Sequence, residues 1–246
     1  MKIHPTAVIH PKAVLAEDVE VGAYSVIGEH VTIGAGTRVL SHVSIDGWTE
    51  IGERCELHPF VSVGGPPQHM QYKGEPTKVV IGHSNILREY VTVNRATVQG
   101  GGVTTVGHSN FLMAYVHVAH DCHLGNHLIL ANAASLAGHI SIGDHAIIGG
   151  LSGIHQFVRI GAYAMVGGCC ALGQDLPPFM RAAGGYRARM YGLNSIGLRR
   201  HGFSAERIAA LKKAYEVLFR SGHRVAEAVK LARETFGASQ DVMQVA

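Results

Sequence analysis

A six-residue repeat of aliphatic side chains runs through most of this 246-residue chain. Counting in sixes from Ile3 meets Ile, Leu or Val at every step as far as Val63, and the spacing resumes after two interruptions. Twenty-six positions fit without an exception, which indicates an internally repeated architecture. These positions are Ile3, Ile9, Leu15, Val21, Ile27, Ile33, Val39, Ile45, Ile51, Leu57, Val63, Ile81, Leu87, Val93, Val106, Leu112, Val118, Leu124, Leu130, Leu136, Ile142, Ile148, Ile154, Ile160, Val166 and Leu172.

A period of six excludes an amphipathic helix, whose apolar face repeats about every 3.6 residues, and agrees with strands, whose side chains alternate with a period of two. The spacing predicts coils of three short strands, with one inward aliphatic side chain per strand. Successive coils would stack at the strand spacing of about 4.8 Å. The 31 glycines suit sharp corners that need unusual φ values. The sequence therefore predicts an all-β solenoid, a parallel β-helix of hexapeptide repeats.

The repeat is interrupted twice, at about 64–80 and at about 99–105. Both segments are rich in Gly, so we expect loops that leave the coil, and loops on a rigid scaffold often contain functional residues. The repeat ends near Pro178. We therefore predict a β-helix domain over 1–178 and a second region over 179–246.

The second region is predicted to be a small helical segment. Ser204 suits a helix N-cap, with Glu206 in the first turn, and apolar residues follow at helical spacing. A second helix is predicted from about Val225 to Phe236, and Gly237 would end it. We expect these helices to cap the open end of the solenoid.

Charge is distributed unevenly along the chain. Residues 1–177 contain nine basic and thirteen acidic residues, a net charge of −4, whereas residues 178–246 contain twelve and five, a net charge of +7. The overall charge of +3 gives little reason to expect nucleic acid as a partner. The basic C-terminal third predicts an acidic partner, either an anionic protein or a phosphate, or else simply a solvated helical face.

The cysteines indicate a reducing compartment rather than a disulfide framework or a metal site. Cys55, Cys122, Cys169 and Cys170 show no C-x-x-C spacing. No signal-peptide pattern opens the chain, and no run of about 18 apolar residues predicts stable membrane insertion. The expected location is cytoplasmic.

Histidines are abundant, at seventeen, and seven of them fall within about 40 residues. Because residues one coil apart stack, His120, Gly138 and Gln156 should form one column, with His139 and His155 beside it. Gly138 would leave space above His120. The seven clustered residues are His117, His120, His123, His127, His139, His145 and His155.

Three interpretations of this cluster remain open. The histidines could simply occupy surface corners. They could bind zinc, although His117 and His123 point different ways within one chain and would need a site shared between subunits. Alternatively, His120 could act as a general base oriented by the adjacent Asp121. No P-loop, dinucleotide fingerprint or nucleophile elbow is present, so no cofactor is expected.

Seven short segments, whose residues the repeat alone does not specify, resemble, in order along the chain, those of the UDP-N-acetylglucosamine O-acyltransferase family of lipid A biosynthesis. The resemblance extends from about residue 3 to about residue 222. It implies a left-handed β-helix, a homotrimer, and active sites in the clefts between subunits. The segments are Gly74–Thr77, Arg88–Glu89, Thr97–Gly102, His117–Cys122, Leu136–His139, Ile154–Phe157 and Gly197–Phe203.

The resemblance also implies an activity, in which an (R)-3-hydroxyacyl group passes from acyl carrier protein to the glucosamine 3-hydroxyl of UDP-GlcNAc. His120 would be the general base, Asp121 would support it, and the backbone N–H of Gly138 would stabilise the oxyanion. Gly168 matches the position that measures acyl length, and Asn194 and Arg200 match nucleotide-binding positions. The remaining substrate-binding candidates are Gln68, His69, His117, His139, His155 and Gln156.

The first loop departs from the family at two positions. The family usually has an acidic residue after the loop glutamine and a lysine two residues later, where this chain has His69 and Gln71. One hypothesis is that the acceptor is a 3-amino analogue of UDP-GlcNAc, which would give an amide. The sequence is also compatible with a hexapeptide acyltransferase that uses acyl-CoA on an amino sugar, with a trimeric β-helical zinc hydratase, and with a non-catalytic scaffold.

Overall fold

The computed structural model describes all 246 residues, from Met1 to Ala246. It contains 28 strands, most of them two residues long, and four α-helices at the C-terminal end. The strands are β1 (Lys2–Ile3), β2 (Val8–Ile9), β3 (Val14–Leu15), β4 (Glu20–Val21), β5 (Val26–Ile27), β6 (Val31–Ile33), β7 (Arg38–Val39), β8 (Ser44–Ile45), β9 (Trp48–Ile51), β10 (Glu56–Leu57), β11 (Ser62–Gly65), β12 (Lys78–Ile81), β13 (Ile86–Leu87), β14 (Thr92–Asn94), β15 (Val103–Val106), β16 (Phe111–Leu112), β17 (His117–Val118), β18 (His123–Leu124), β19 (Ile129–Leu130), β20 (Ser135–Leu136), β21 (Ser141–Ile142), β22 (Ile147–Ile148), β23 (Gly153–Ile154), β24 (Arg159–Ile160), β25 (Met165–Val166), β26 (Ala171–Leu172), β27 (Met180–Ala183) and β28 (Arg189–Leu193). The helices are α1 (Ser195–Arg200), α2 (Ala205–Phe219), α3 (Val225–Phe236) and α4 (Gln240–Val245).

The strands β1–β26 form the three sides of one solenoid. Each strand pairs in parallel with the third strand before it and the third strand after it, so three long sheets run along the axis. Ile9 pairs with Ile27, an offset of 18 residues, as the repeat predicts. The predicted β-solenoid is therefore confirmed, and the coil length of three hexads is correct.

The aliphatic residues of the repeat form the core. From Val21 to Leu172 every one of them is buried, and together they form most of a single cluster of 44 buried residues. The first coil is the exception: Ile9 and Leu15 are only partly buried and Ile3 has 44 % of its surface exposed, because no coil lies beneath this one. Burial of these side chains is the main stabilising contribution to a fold whose individual strands are too short to persist alone.

Glycine was expected at the corners of the coils, but larger residues occupy most of them. Nineteen residues other than glycine have positive φ, among them Tyr24, His42 and Phe60. Glycines often follow the inward aliphatic instead, where neighbouring coils approach closely. A Cβ at Gly22, for example, would lie 2.7 Å from the carbonyl carbon of Leu40. These glycines are needed for close packing between coils, and the unusual φ values are borne by larger residues.

Two loops leave the solenoid where the repeat is interrupted, with bounds a few residues from those predicted. The first loop joins β11 to β12 and covers residues 66–77, and the second joins β14 to β15 and covers residues 95–102. Strand pairing continues across both loops, since Leu57 pairs with Leu87 and Thr92 with His117. The loops are therefore insertions that leave the stacking of the coils intact.

The segment after the repeat begins with a β-hairpin, whereas residues 179–246 were predicted to be helical. β27 pairs in parallel with β25 and antiparallel with β28, so the first sheet continues past the last hexad. Helices begin only at Ser195. The hairpin has no hexad pattern, and its five-residue turn, 184–188, is longer than the two-residue turns that a Gly-Gly pair typically forms, so Gly184 and Gly185 alone did not reveal it.

The two predicted helices are confirmed as α2 and α3. Ser204 caps α2 by accepting a hydrogen bond from the N–H of Arg207, and Gly237 follows α3. Phe179 of the last coil packs with Leu198 and Phe203, so a second small core joins the helices to the solenoid. None of the helices has the length and apolarity needed to cross a membrane.

Candidate functional site

A cavity of about 970 Å³ opens on one face of the solenoid. Its floor is the sheet in which Ser135, Gly153 and Ala171 stack directly above one another, each one coil apart. Because these side chains are small, they leave a groove parallel to the solenoid axis. His120 and Arg187 also line this cavity.

His120 and Asp121 form a hydrogen-bonded pair at this cavity. His120 Nδ1 lies 2.7 Å from Asp121 Oδ2. The Asp121 side chain is completely buried, and 11 % of the His120 side chain is exposed. When a neutral imidazole meets an ionised carboxylate in this geometry, Nδ1 is the donor and Nε2 keeps a lone pair. The pair thus presents a basic nitrogen on a ring that lines the cavity.

The second loop covers the Asp121 carboxylate. Thr97 donates to it twice, from its backbone N–H at 2.9 Å and from its hydroxyl at 2.7 Å. A side chain at Gly100 would overlap the carboxylate group. The family resemblance includes both residues in the segment Thr97–Gly102 but assigns no role to either. No local signal could have found these contacts, because they join a loop to a corner of the next coil.

Gly138 lies against the imidazole of His120. A Cβ at this position would be 2.5 Å from His120 Cε1 and 2.9 Å from Nε2. The predicted column of His120 and Gly138 is therefore confirmed, but the imidazole itself fills the space that the glycine leaves. The N–H of Gly138 donates to no other group of the chain, although the residue is buried.

Three further histidines surround His120. The rings of His139 and His69 meet it edge-on, with centroids 5.2 Å and 5.4 Å away. Burial lowers the pKa of His139, and nearby imidazoles lower it further against the opposing effect of Asp121. Burial, followed by His120, also lowers the pKa of His117. Both lowered pKa values favour the neutral imidazole near neutral pH, so these residues would contact a ligand by hydrogen bonds and not as cations.

Two protein-family models match the chain: the bacterial transferase hexapeptide model, of six repeats, over residues 1–35, and the model of UDP-N-acetylglucosamine O-acyltransferase domain 2 over residues 175–246. A protein of Thermodesulfovibrio yellowstonii named acyl-acyl-carrier-protein–UDP-N-acetylglucosamine O-acyltransferase is 57 % identical over 228 residues, 93 % of this chain and 88 % of the relative. The chain belongs to the UDP-N-acetylglucosamine O-acyltransferase family.

Further members of the UDP-N-acetylglucosamine O-acyltransferase family agree. The relative from Paraburkholderia xenovorans with the same name is 55 % identical over 98 % of this chain and 91 % of its own length. The crystal structure of the Moraxella catarrhalis enzyme superposes with a TM-score of 0.97 at 42 % identity, covering 100 % of this chain and 95 % of that one. The enzyme of Acinetobacter baumannii gives a TM-score of 0.94 at 43 % identity, over 99 % and 95 % of the two chains.

Within this UDP-N-acetylglucosamine O-acyltransferase chain, the cavity gathers only some of the residues that the resemblance implies. Gln68, His117 and His155 line it with His120. Gln156 is exposed and does not line it. Of the predicted column, His120 and Gly138 line the cavity and Gln156 does not.

Three residues predicted for acyl length and nucleotide binding lie away from the cavity of a single chain. Gly168 lies beside Gly150 at another corner of the coil. Asn194 is buried and caps α1, donating to the carbonyl of Tyr163 at 3.0 Å and accepting from the N–H of Gly197 at 3.2 Å. Arg200 is exposed at the end of α1. The Asn194 contacts give it a structural role, and the roles of Gly168 and Arg200 stay predictions.

His120, Asp121 and His139 are also the one group of side chains with the spacing of metal ligands, their donor atoms lying within 4.8 Å of one another. However, Asp121 Oδ2 already accepts hydrogen bonds from Thr97 and His120. A metal ion would have to displace the His120 hydrogen bond. The names of the relatives favour acyl transfer over zinc-dependent hydration.

Cys122, two residues from His120, does not contribute a nucleophile. Its side chain is part of the core, where it donates to the carbonyl of Ala137. Burial raises the pKa of the Cys122 thiol to about 12. A thiol of this kind remains protonated and unreactive at neutral pH.

Proposed function

We propose that this chain transfers an (R)-3-hydroxyacyl group from acyl carrier protein to the glucosamine 3-hydroxyl of UDP-GlcNAc. The supporting observation is the His120–Asp121 pair, whose imidazole lines the cavity. The printed names of the relatives describe an O-acyltransferase that acts on these two substrates. The arrangement supplies a general base and needs no covalent enzyme intermediate.

In the proposed reaction, His120 Nε2 removes the proton of the 3-hydroxyl as the oxygen attacks the thioester carbonyl carbon. A tetrahedral oxyanion forms and then collapses, which breaks the C–S bond. The thiol of the carrier leaves with the proton that His120 had accepted, so the enzyme returns to its starting state. Asp121 keeps the proton on Nδ1 and stabilises the transient imidazolium.

Gly138 would stabilise the oxyanion through its backbone N–H. That N–H has no acceptor within the chain and belongs to a residue in contact with His120. A donor that is fixed beside the base before the reaction begins stabilises charge without reorganising. The absence of a Cβ at Gly138 keeps the base and the donor within reach of the same carbonyl group.

The groove beyond His120 would receive the acyl donor. It is floored by Ser135, Gly153 and Ala171, and Arg187 and Arg189 line it as well. Guanidinium groups suit an acidic carrier protein and the phosphate of its prosthetic arm. The excess of basic residues beyond residue 178 is consistent with this direction of approach.

The left-handed coil and the homotrimer also belong to the proposal. Five rings stack along one corner from Tyr24 to Tyr115, with centroids about 5 Å apart, and most of them are exposed. A neighbouring subunit would cover such a stripe. Gly168 lies at the same corner further along the axis, away from the cavity of its own chain. In a trimer it would therefore line the active-site cleft formed with a neighbouring subunit.

The test uses purified protein, UDP-GlcNAc and (R)-3-hydroxyacyl carrier protein, with the product identified by mass spectrometry. We expect an ester product, and we expect His120→Ala to lower kcat by at least about 100-fold while the melting temperature is maintained. Full activity of the variant would overturn the role of His120. Failure of the wild type with the carrier thioester, together with turnover of acyl-CoA, would overturn the donor.

A second acceptor is favoured by one observation. His69 lies against His120 in the loop where the family usually has a carboxylate. Unlike a carboxylate, an imidazole there would not stabilise the protonated form of the amine, which must lose its proton before it attacks the thioester. Comparing kcat/KM for UDP-GlcNAc and its 3-amino analogue decides between the two: a preference of more than about tenfold for the hydroxyl sugar would sink the amide product.

A further inference from the structure

The loop that positions His69 beside the base is attached to the solenoid through a buried arginine. Arg95 follows β14, is 9 % exposed, and belongs to no ion pair of the chain. Its Nε donates to the hydroxyl of Tyr72 at 3.0 Å, and its Nη1 donates to the carbonyl of Gly64 at 2.9 Å. A buried cation without a carboxylate costs free energy, so its contacts must compensate.

Aromatic rings provide that compensation. The guanidinium carbon lies 5.7 Å from the ring centroid of Trp48 and 5.6 Å from that of Tyr72. Trp48 is held in place by stacking on His30, with centroids 4.8 Å apart and planes within 7°. Arg95 therefore contacts one ring from the solenoid wall and one ring from the loop. Arginine is suited to such stacking because its guanidinium is planar and weakly hydrated.

Two glycines make room for this contact. Gly47 has φ of +61°, and a Cβ there would overlap Nη1 of Arg95. Gly64 has φ of +80°, and a Cβ there would overlap the backbone carbonyl of Asp46. Both positions need glycine for its φ and for its lack of a side chain. The backbone around the guanidinium is thus shaped to hold it.

Tyr72, which Arg95 holds, is only three residues from His69 at the site. Tyr72 donates its hydroxyl hydrogen to the carbonyl of Glu75 at 2.8 Å, and its backbone N–H donates to the carbonyl of His69 at 3.0 Å. His69 in turn touches the ring of His120, and the preceding residue, Gln68, lines the cavity. Fixing Tyr72 therefore fixes His69 and Gln68 relative to His120.

We propose that Arg95 is the positioning residue of the acceptor site: by binding Tyr72 and Gly64 against Trp48, it holds the 66–77 loop over the catalytic histidine. This inference rests on the proposed function for its kinetic consequences. Loss of the anchor frees the loop and weakens binding of the sugar nucleotide. The carrier-protein side of the groove, formed by the solenoid and the hairpin, is unaffected.

The kinetic test compares Arg95→Met, Arg95→Lys and Tyr72→Phe with the matched control Arg54→Met. Arg54 is exposed and paired only with Glu53. We expect Arg95→Met and Tyr72→Phe to raise KM for UDP-GlcNAc by about tenfold or more, with kcat and the KM for the acyl donor changed by less than about threefold. Arg95→Lys keeps the charge and should recover part of the loss, and Arg54→Met should match the wild type.

A readout without substrate separates this proposal from the proposed function. Lys73 is an exposed trypsin site within the loop. We expect trypsin to cut after Lys73 at least about fivefold faster in Arg95→Met and Tyr72→Phe, because cleavage requires local opening. Unchanged cleavage, or equal KM increases for both substrates, would overturn the anchor. If the wild type fails to acylate UDP-GlcNAc but the cleavage rates change as expected, only the proposed function fails.

Discussion

His120 and Asp121 are adjacent in sequence, yet their side chains meet at 2.7 Å. Neighbouring residues on a strand point to opposite faces, so this pairing requires a corner. Asp121 occupies that corner with φ of +61°. Left-handed backbone costs a non-glycine residue about 1 kcal/mol or more. Here the buried hydrogen bonds of the Asp121 carboxylate offset that cost.

Asp121→Asn should inactivate the enzyme without unfolding it. An amide at this position can donate to His120 Nδ1 and thus favour the tautomer that has a proton on Nε2, which cannot accept one. We expect kcat to fall by about 10²–10⁴-fold with little change in KM for UDP-GlcNAc, measured by initial rates. Asp175→Asn, which removes an exposed partner of Arg159, is the control and should have no effect. Near-normal kcat in Asp121→Asn would contradict the orienting role.

Gly138→Ala should also lower kcat. The new methyl group would lie 2.5 Å from His120 Cε1, so the imidazole must move away from the cavity. A displacement of this size lowers the rate by about 100-fold, which steady-state kinetics can measure. Gly185→Ala is the matched control, because a Cβ there meets nothing within 4 Å. If both variants retain wild-type kcat, the close contact between Gly138 and His120 is irrelevant to catalysis.

Acid should destabilise the junction between the solenoid and the helices. Burial lowers the pKa of His145, and His201 and His127 lower it further against the opposing effect of Asp144. The folded pKa is thus below the unfolded value of about 6.5, so the unfolded state binds more protons as pH falls through that value. Folding stability should therefore decrease as the pH falls below about 6.5.

The measurement is the melting temperature as a function of pH. His145→Asn should reduce the acid-induced fall in melting temperature by about 2–4 °C. The exposed His223 provides the control, and His223→Asn should leave the fall unchanged. An equally steep fall in His145→Asn and in the wild type would show that this histidine does not contribute.

Chelation should leave the activity unchanged. His120, Asp121 and His139 have metal-ligand spacing, but the proposed reaction uses His120 as a free base. We expect turnover to stay within about twofold after dialysis against EDTA, since a general base needs no Lewis acid. Elemental analysis of the purified protein is the companion measurement. Lost activity that returns with stoichiometric zinc would support a metalloenzyme instead.

The repeat predicted the fold well because its cause is local and periodic. One inward aliphatic per strand sets the coil, so counting alone placed His120 beside Gly138. The hairpin β27–β28 escaped prediction because its pairing is antiparallel and lacks the hexad. Glycines were expected at the corners, but many lie where neighbouring coils approach closely, as at Gly22. This crowding depends on residues 18 positions away and has no local sequence signal.

The candidate site was predictable only where it follows the repeat. The adjacency of His120 and Asp121 was visible in the sequence, and the family resemblance identified the loop residues. The contacts of Thr97 with Asp121 and of Arg95 with Tyr72 join residues 23 or 24 apart across irregular segments. No period links such positions, so only the folded loops could reveal them.

Outside the two loops, neighbouring coils pair with an offset of 18 residues, so this part of the protein is divisible into interchangeable units. Deleting one residue from a coil would turn every later aliphatic outward, whereas duplicating a whole coil would preserve each inward position. Such a duplication above Leu172 would lengthen the groove by about 4.8 Å and leave His120 untouched. The distance between His120 and the hairpin arginines can therefore be changed one coil at a time, without altering the residues that transfer the proton.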